Sequence, residues 1–115
     1  MSKWKVFHNP KCSKSRQALA FLEDQGIEAE VVEYLKNPPS QSEIKRIIKQ
    51  SSQSPSAFIR KKEPELKDFS SIDFENIDEV AAAIHQVPKI MERPIVMNGS
   101  KVVIARPTEL IEGIL

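Results

Sequence analysis

The residue best equipped for chemistry is Cys12, the single cysteine of the chain, in the run His8-Asn9-Pro10-Lys11-Cys12-Ser13-Lys14-Ser15-Arg16. Free cysteines often pack as small hydrophobes, but the neighbours here are polar or cationic, so this is not a core segment. An apolar strand pattern leads into the run and a helical pattern leads out of it. That puts the thiol where a helix begins, and helix N-termini favour negative charge. Cations beside a thiol also favour the thiolate. Cys12 is therefore expected to be a nucleophile. Cys12-Ser13-Lys14-Ser15 has C-x-x-S spacing, with Ser15 standing where a resolving cysteine would stand. The Ser15 hydroxyl can hydrogen-bond a thiolate but cannot close a disulfide, so a second thiol has to come from another molecule. His8, at the end of the preceding strand, either hydrogen-bonds the sulfur or lends it positive charge, or else faces solvent; the sequence leaves these readings open.

Arg60, Arg93 and Arg106 form a second constellation. Arg93 and Arg106 each precede a proline, Pro94 and Pro107, which pushes them toward extended backbone. One stands before a hairpin pattern and the other after it, so both are expected at the same end of the hairpin. A pair of guanidinium forks there matches the oxygens of a tetrahedral oxyanion. Arg60 lies in the basic run Arg60-Lys61-Lys62, which spacing alone reads as a solvated helix face.

These side chains need elements to hold them. Lys3 to His8 alternates as a strand, with Trp4, Val6 and His8 on one face. Asn9-Pro10 is a turn signal. From about Cys12 to Gln25 the apolar residues Ala18, Leu19, Phe21 and Leu22 follow helical spacing, and Gly26 suits a C′ stop. Glu28 to Leu35 is a second strand, making a right-handed parallel βαβ unit. Ser40 and Glu43 form a capping box ahead of Ile44, Ile47 and Ile48. Ser54-Pro55 opens a short helix expected to carry Phe58, Ile59 and Arg60. Pro64 interrupts the pattern. Ile77, Val80, Ala81 and Ile84 mark another helix.

After Pro88 the strand pattern returns. Pro94 to Met97 and Lys101 to Ala105 flank Asn98-Gly99, a type I′ hairpin signal. Pro107 starts a terminal helix with Leu110, Ile111 and Ile114. The order predicts an α/β domain spanning 1–115. It should hold a thioredoxin-like, four-stranded mixed sheet with a helical insertion over about 40–87. The bond before the proline that opens the third strand is often cis in such folds, and the sequence leaves its isomer open.

Composition bounds the function. Lys+Arg 17 against Asp+Glu 16 gives a net charge of +1, so no nucleic acid and no anionic membrane is expected as a partner. No apolar run approaches the roughly 18 residues of a membrane span. The stretch Met1-Ser2-Lys3-Trp4-Lys5 runs straight into a strand pattern, unlike a secretory signal. One cysteine and two histidines in unrelated segments leave no expected metal site. A reduced thiol points to the cytoplasm.

Several motifs occur together and in order: Phe7 to Arg16, Tyr34-Leu35 through Asn37-Pro38-Pro39-Ser40, Ile59-Arg60-Lys61, Glu92-Arg93-Pro94-Ile95-Val96, and Ala105-Arg106-Pro107. With them the chain resembles the ArsC family, the glutathione/glutaredoxin-coupled arsenate reductases and their relatives. The resemblance implies an oxidoreductase of arsenic resistance, without a bound cofactor. In it Cys12 attacks arsenate, glutathione attacks the thiol-arsenate adduct, and glutaredoxin completes reduction to arsenite. It also implies catalytic roles for Cys12 and His8, with His8 lowering the thiol's pKa, and anion-binding roles for Arg60, Arg93 and Arg106. Ser15 joins the substrate-binding set as a hydrogen-bond donor to the sulfur. A monomer is expected. Two alternatives share the resemblance. One is a glutathione-dependent thiol oxidoreductase acting on another substrate. The other is an Spx-type redox sensor that binds RNA polymerase, although such sensors use a C-x-x-C switch and Ser15 replaces its second cysteine.

Overall fold

The computed structural model describes residues 3–115. Met1 and Ser2, which open the stretch read as unlike a secretory signal, lie outside the described residues. The chain divides into two compact units, Met1–Asn37 with Arg93–Leu115, and Pro38–Glu92.

The first unit holds strands β1 (Trp4–His8), β2 (Glu30–Glu33), β3 (Ile95–Asn98) and β4 (Lys101–Ile104), and helix α1 (Ser13–Asp24). The strands form one mixed sheet in the order β2-β1-β3-β4. β1 runs parallel to β2 and antiparallel to β3, and β3 pairs antiparallel with β4. Consecutive residues Val6, Phe7 and His8 are all buried, as suits a central strand withdrawn from solvent on both faces. On one face Val6 and Val96 join Ala18 and Leu22 of α1, Ala105, and Ile111 and Ile114 near the C-terminus in one core cluster.

The ends of α1 have local causes. Pro10 cannot continue the β1 ladder, and Cys12 takes the extended N-cap conformation, φ −96° and ψ 122°. At the other end Gly26 sits at φ +71°. Its N–H donates to the Glu23 carbonyl (2.9 Å), and the Ile27 N–H donates to the Leu22 carbonyl (2.9 Å). This is a Schellman closure, and it needs the left-handed conformation that glycine adopts without penalty.

Several boundaries differ from the sequence pattern. β2 stops at Glu33 because the chain turns there: the Glu33 carbonyl accepts the N–H groups of Lys36 (3.0 Å) and Asn37 (2.9 Å). The hairpin turn is Gly99-Ser100, since Asn98 pairs with Lys101 in the ladder. Gly99 has φ +62° and Ser100 is not among the positive-φ residues, the pattern of a type II′ turn and not type I′. The terminal helix is a 3₁₀ segment, Thr108–Ile114. Its threefold period buries Ile111 and Ile114 while leaving Leu110 exposed. The Asn98 Nδ2 group ties it down by donating to the Ile114 carbonyl (2.6 Å).

The second unit holds α2 (Gln41–Ser51) and α3 (Ile77–Gln86), packed against each other. The Ser40 hydroxyl caps α2 by accepting the Glu43 N–H at 3.1 Å. Ile44, Ile47 and Ile48 bury one face of α2, and Val80, Ala81, Ala83 and Ile84 one face of α3. Two features were not in the sequence reading. Pro64 opens a 3₁₀ helix, Pro64–Phe69, instead of only breaking a pattern. The short helix after Ser54 stops at Phe58, so Ile59 and Arg60 are not helical; Ile59 forms an isolated antiparallel bridge with Met91.

Gly26→Ala puts a Cβ on a left-handed residue with open space around it, so the cost is conformational. A loss of about 1 kcal/mol in unfolding free energy is expected. Urea titration checks it, and an unchanged midpoint would contradict the Schellman assignment.

Candidate functional site

The site grows from the turn between β1 and α1. Asn9 shapes it twice: its Oδ1 accepts the Lys11 N–H (3.0 Å) and its carbonyl accepts the Cys12 N–H (2.9 Å). The Cys12 carbonyl then accepts the Arg16 N–H at 3.1 Å, so the helix begins at once. The Arg16 Nη1 group reaches back to donate to the Pro10 carbonyl at 2.8 Å. Both ends of the turn are thereby held to α1.

Cys12 is half-buried at the N-cap. Burial pushes its thiol up. The backbone N–H groups of Ser15 and Lys14, the Arg93 charge and the Ser15 hydroxyl push it down, and together they hold it below the ordinary thiol range. Ser15 is fully buried. Its oxygen accepts the Asn9 N–H at 3.3 Å, and its hydroxyl is one of the groups that lower the Cys12 thiol.

His8 is buried and pairs in register with Glu33 of β2. Burial lowers its pKa below the ordinary 6.5, Glu33 opposes this, and Arg16 adds to it. The imidazole is thus mainly neutral at pH 7, and its Nδ1 is buried without a hydrogen-bond partner. Of the readings left open for His8, the solvent-facing one does not fit, because the residue is buried. Arg93 is the cation that lowers the Cys12 thiol. His8 also lines a small cavity of about 200 Å³ with Asn9, Pro10, Lys11, Glu33 and Leu35.

Arg93 and Arg106 meet at the hairpin end, as their Arg-Pro spacing predicts. Both X-Pro bonds, Arg93-Pro94 and Arg106-Pro107, are cis. The Ala105 N–H donates to the Pro94 carbonyl (2.9 Å), and the Arg106 Nη1 group donates to the Arg93 carbonyl (3.1 Å). Cys12, Ser15, His8, Arg93 and Arg106 all belong to the first unit.

Arg60 belongs to the second unit. It is not on a solvated helix face: its N–H donates to the Ile90 carbonyl at 2.7 Å, and its Nη1 contacts Glu63 Oε1 at 2.8 Å. Lys61 and Lys62 are exposed, whereas Arg60 is half-buried. From sequence, Glu33 and Glu63 have no site role, Asn9 is only part of a turn signal, and Arg16 is only a neighbouring cation. Asn9 carried a signal, since asparagine two residues before an N–H makes an Asx turn. Glu63 carried another, an acid three residues after Arg60 and directly before a proline. Glu33 had none, because its place beside His8 depends on strand pairing.

The described residues include no group of three or more His, Cys, Asp or Glu placed to hold a metal ion. They include no helix long and apolar enough to cross a membrane.

A profile of the ArsC family matches residues 7–114. The chain belongs to the ArsC family. It is 42% identical over 117 residues to an arsenate reductase of Neisseria meningitidis serogroup A, covering the full length of both chains. It is 37% identical to an arsenate reductase of Haemophilus influenzae, covering 96% of this chain and 97% of that one. The solved structure of an arsenate reductase from Vibrio cholerae superposes with a TM-score of 0.89 at 39% identity, covering 97% of each chain. The mixed four-stranded sheet with its helices is the thioredoxin-like fold of this family.

The Cys12 thiol should alkylate with iodoacetamide along a pH profile whose midpoint lies below that of an ordinary cysteine. Ser15→Ala removes the hydroxyl from the sulfur and should move that midpoint upward. Coincident profiles for the two proteins would show that Ser15 does not act on the thiol.

Proposed function

We propose that this ArsC-family chain is an arsenate reductase in which Cys12 is the nucleophile. The observation that carries the proposal is the thiol at the N-cap of α1, held below its ordinary pKa by the Ser15 and Lys14 N–H groups and by Arg93 despite burial. Family membership and full-length relatives named arsenate reductase point to the substrate. In the reaction the thiolate attacks arsenic and an oxygen leaves as water, giving a covalent thiol-arsenate adduct. Arsenic falls from the +5 to the +3 state, which takes two electrons. With one cysteine in the chain, those electrons come from two external thiols, which end as one disulfide. Glutathione and glutaredoxin are the proposed donors, and Cys12 is regenerated when arsenite leaves.

In this reading Arg93 and Arg106 bind the oxyanion at the hairpin end, and Arg60 supplies a third guanidinium. Ser15 donates its hydroxyl to the sulfur. His8 serves as a neutral imidazole beside the turn. No metal or bound cofactor is needed, because the sulfur itself carries the adduct. The protein would act as a cytoplasmic monomer.

Arsenate reduction coupled to glutathione and glutaredoxin tests this directly. Cys12→Ser should retain less than about 1% of parental turnover, since a serine hydroxyl at this site stays protonated; activity near the parental level would remove the nucleophile assignment. Arg106→Lys replaces a planar fork by a point charge, and the arsenate KM should rise about 5–20-fold with a smaller change in kcat. An unchanged KM would remove Arg106 from the anion site.

A further inference from the structure

We infer that Glu63 is the positioning residue of Arg60, holding its guanidinium in place before an oxyanion arrives. This deepens the reading above, because it rests on Arg60 as an anion ligand.

The local chain is built to make this contact. Arg60 is pinned by backbone bonds on the segment next to it: its N–H donates to the Ile90 carbonyl (2.7 Å), and the Glu92 N–H donates to the Phe58 carbonyl (2.7 Å). The chain then turns through the exposed Lys61 and Lys62, and the Glu63 N–H closes the turn on the Arg60 carbonyl at 3.2 Å. Pro64 follows, which keeps Glu63 extended at φ −74° and ψ 130°. The carboxylate folds back so that Oε1 lies 2.8 Å from Arg60 Nη1. Its side chain is only 10% exposed, so the contact is shielded from the solvent that weakens surface pairs. Oε2 is held from the other side by Lys89 Nζ at 3.7 Å.

The charges favour a geometric role over a purely electrostatic one. Lys89 also contacts Glu65 Oε2 at 3.2 Å, so Arg60, Lys89, Glu63 and Glu65 cancel in net charge. What this cluster offers an oxyanion is a set of directed N–H donors. A guanidinium has five, and the Glu63 contact engages the Nη1 end. An arginine already fixed loses less side-chain freedom when the ligand binds.

The test separates reach from charge. Glu63→Asp keeps the charge but shortens the side chain by one methylene, whereas Glu63→Gln keeps the reach and an acceptor oxygen but removes the charge. Arsenate protection of Cys12 from iodoacetamide gives the half-protecting concentration without any turnover. For Glu63→Asp that concentration, and the arsenate KM, should rise about tenfold with kcat within about twofold of the parent. Glu63→Gln should stay within about threefold of the parent. In the Arg60→Ala background, adding Glu63→Asp should change nothing further, because Glu63 acts through Arg60.

Parental protection in Glu63→Asp, an equal loss in Glu63→Gln, or an additive double variant would each overturn the inference while leaving Arg60 as a ligand. Parental protection in Arg60→Ala would overturn the inference and the role of Arg60 together. No protection of the parent protein by arsenate would overturn both, and the proposed substrate with them.

Discussion

Half-burial of the Cys12 sulfur makes a negative charge there costly, and the N–H groups at the start of α1 offset that cost. The rest of the first unit follows from keeping those donors aimed at one atom. The Ser15 and Lys14 N–H groups have no intrahelical partners because they lie in the first turn of the helix. A thiol at the N-cap is the group next to them. The Asn9 turn sets where the helix starts, Arg16 ties the turn back at Pro10, and the buried Ser15 accepts the Asn9 N–H. Central strand β1 fixes the incoming chain, with β2 and β3 paired on either side.

The second requirement is positive charge that stays positive. Histidine beside the turn does not meet it, because burial and Arg16 lower the His8 pKa and Glu33 only partly opposes them. Arginine meets it because it stays protonated at any physiological pH. Arg93 is placed by β-sheet register: Phe7 of β1 pairs with Ile95, which puts the residue before Pro94 beside the end of β1. Arg106 is placed by the same hairpin, since Ile95 pairs with Ile104, and its bond to the Arg93 carbonyl fixes the two at one end. A sheet that slipped register by one residue would turn these side chains to the opposite face.

Much of this was legible in the residues. The C-x-x-S run among cations, the strand-to-helix change of period at Cys12, and the two Arg-Pro dipeptides around a hairpin signal are local patterns. Local backbone preference carries them into the structure. The Gly26 stop and the Ser40 cap are local in the same sense, each closing hydrogen bonds within a few residues. Elsewhere pairing outweighs pattern. Asn98-Gly99 is the stronger hairpin dipeptide, but the ladder pairs Asn98 with Lys101 and moves the turn to Gly99-Ser100. Ser54-Pro55 opens a short helix expected to carry Ile59 and Arg60, but it ends at Phe58 and Ile59 bridges to Met91 instead.

By itself the sequence determined where the lone cysteine falls at a strand-to-helix change, the βαβ opening and the pair of arginines at a hairpin end. Each depends on residue type or on neighbours close along the chain. Only the tertiary structure decided that Arg93 lies where its charge lowers the Cys12 thiol while His8 is buried and its pKa lowered, and that Glu63 contacts Arg60. Both outcomes depend on burial and on contacts between segments brought together by folding: burial shifts a histidine toward neutrality, and strand pairing selects which cation lies near the thiol.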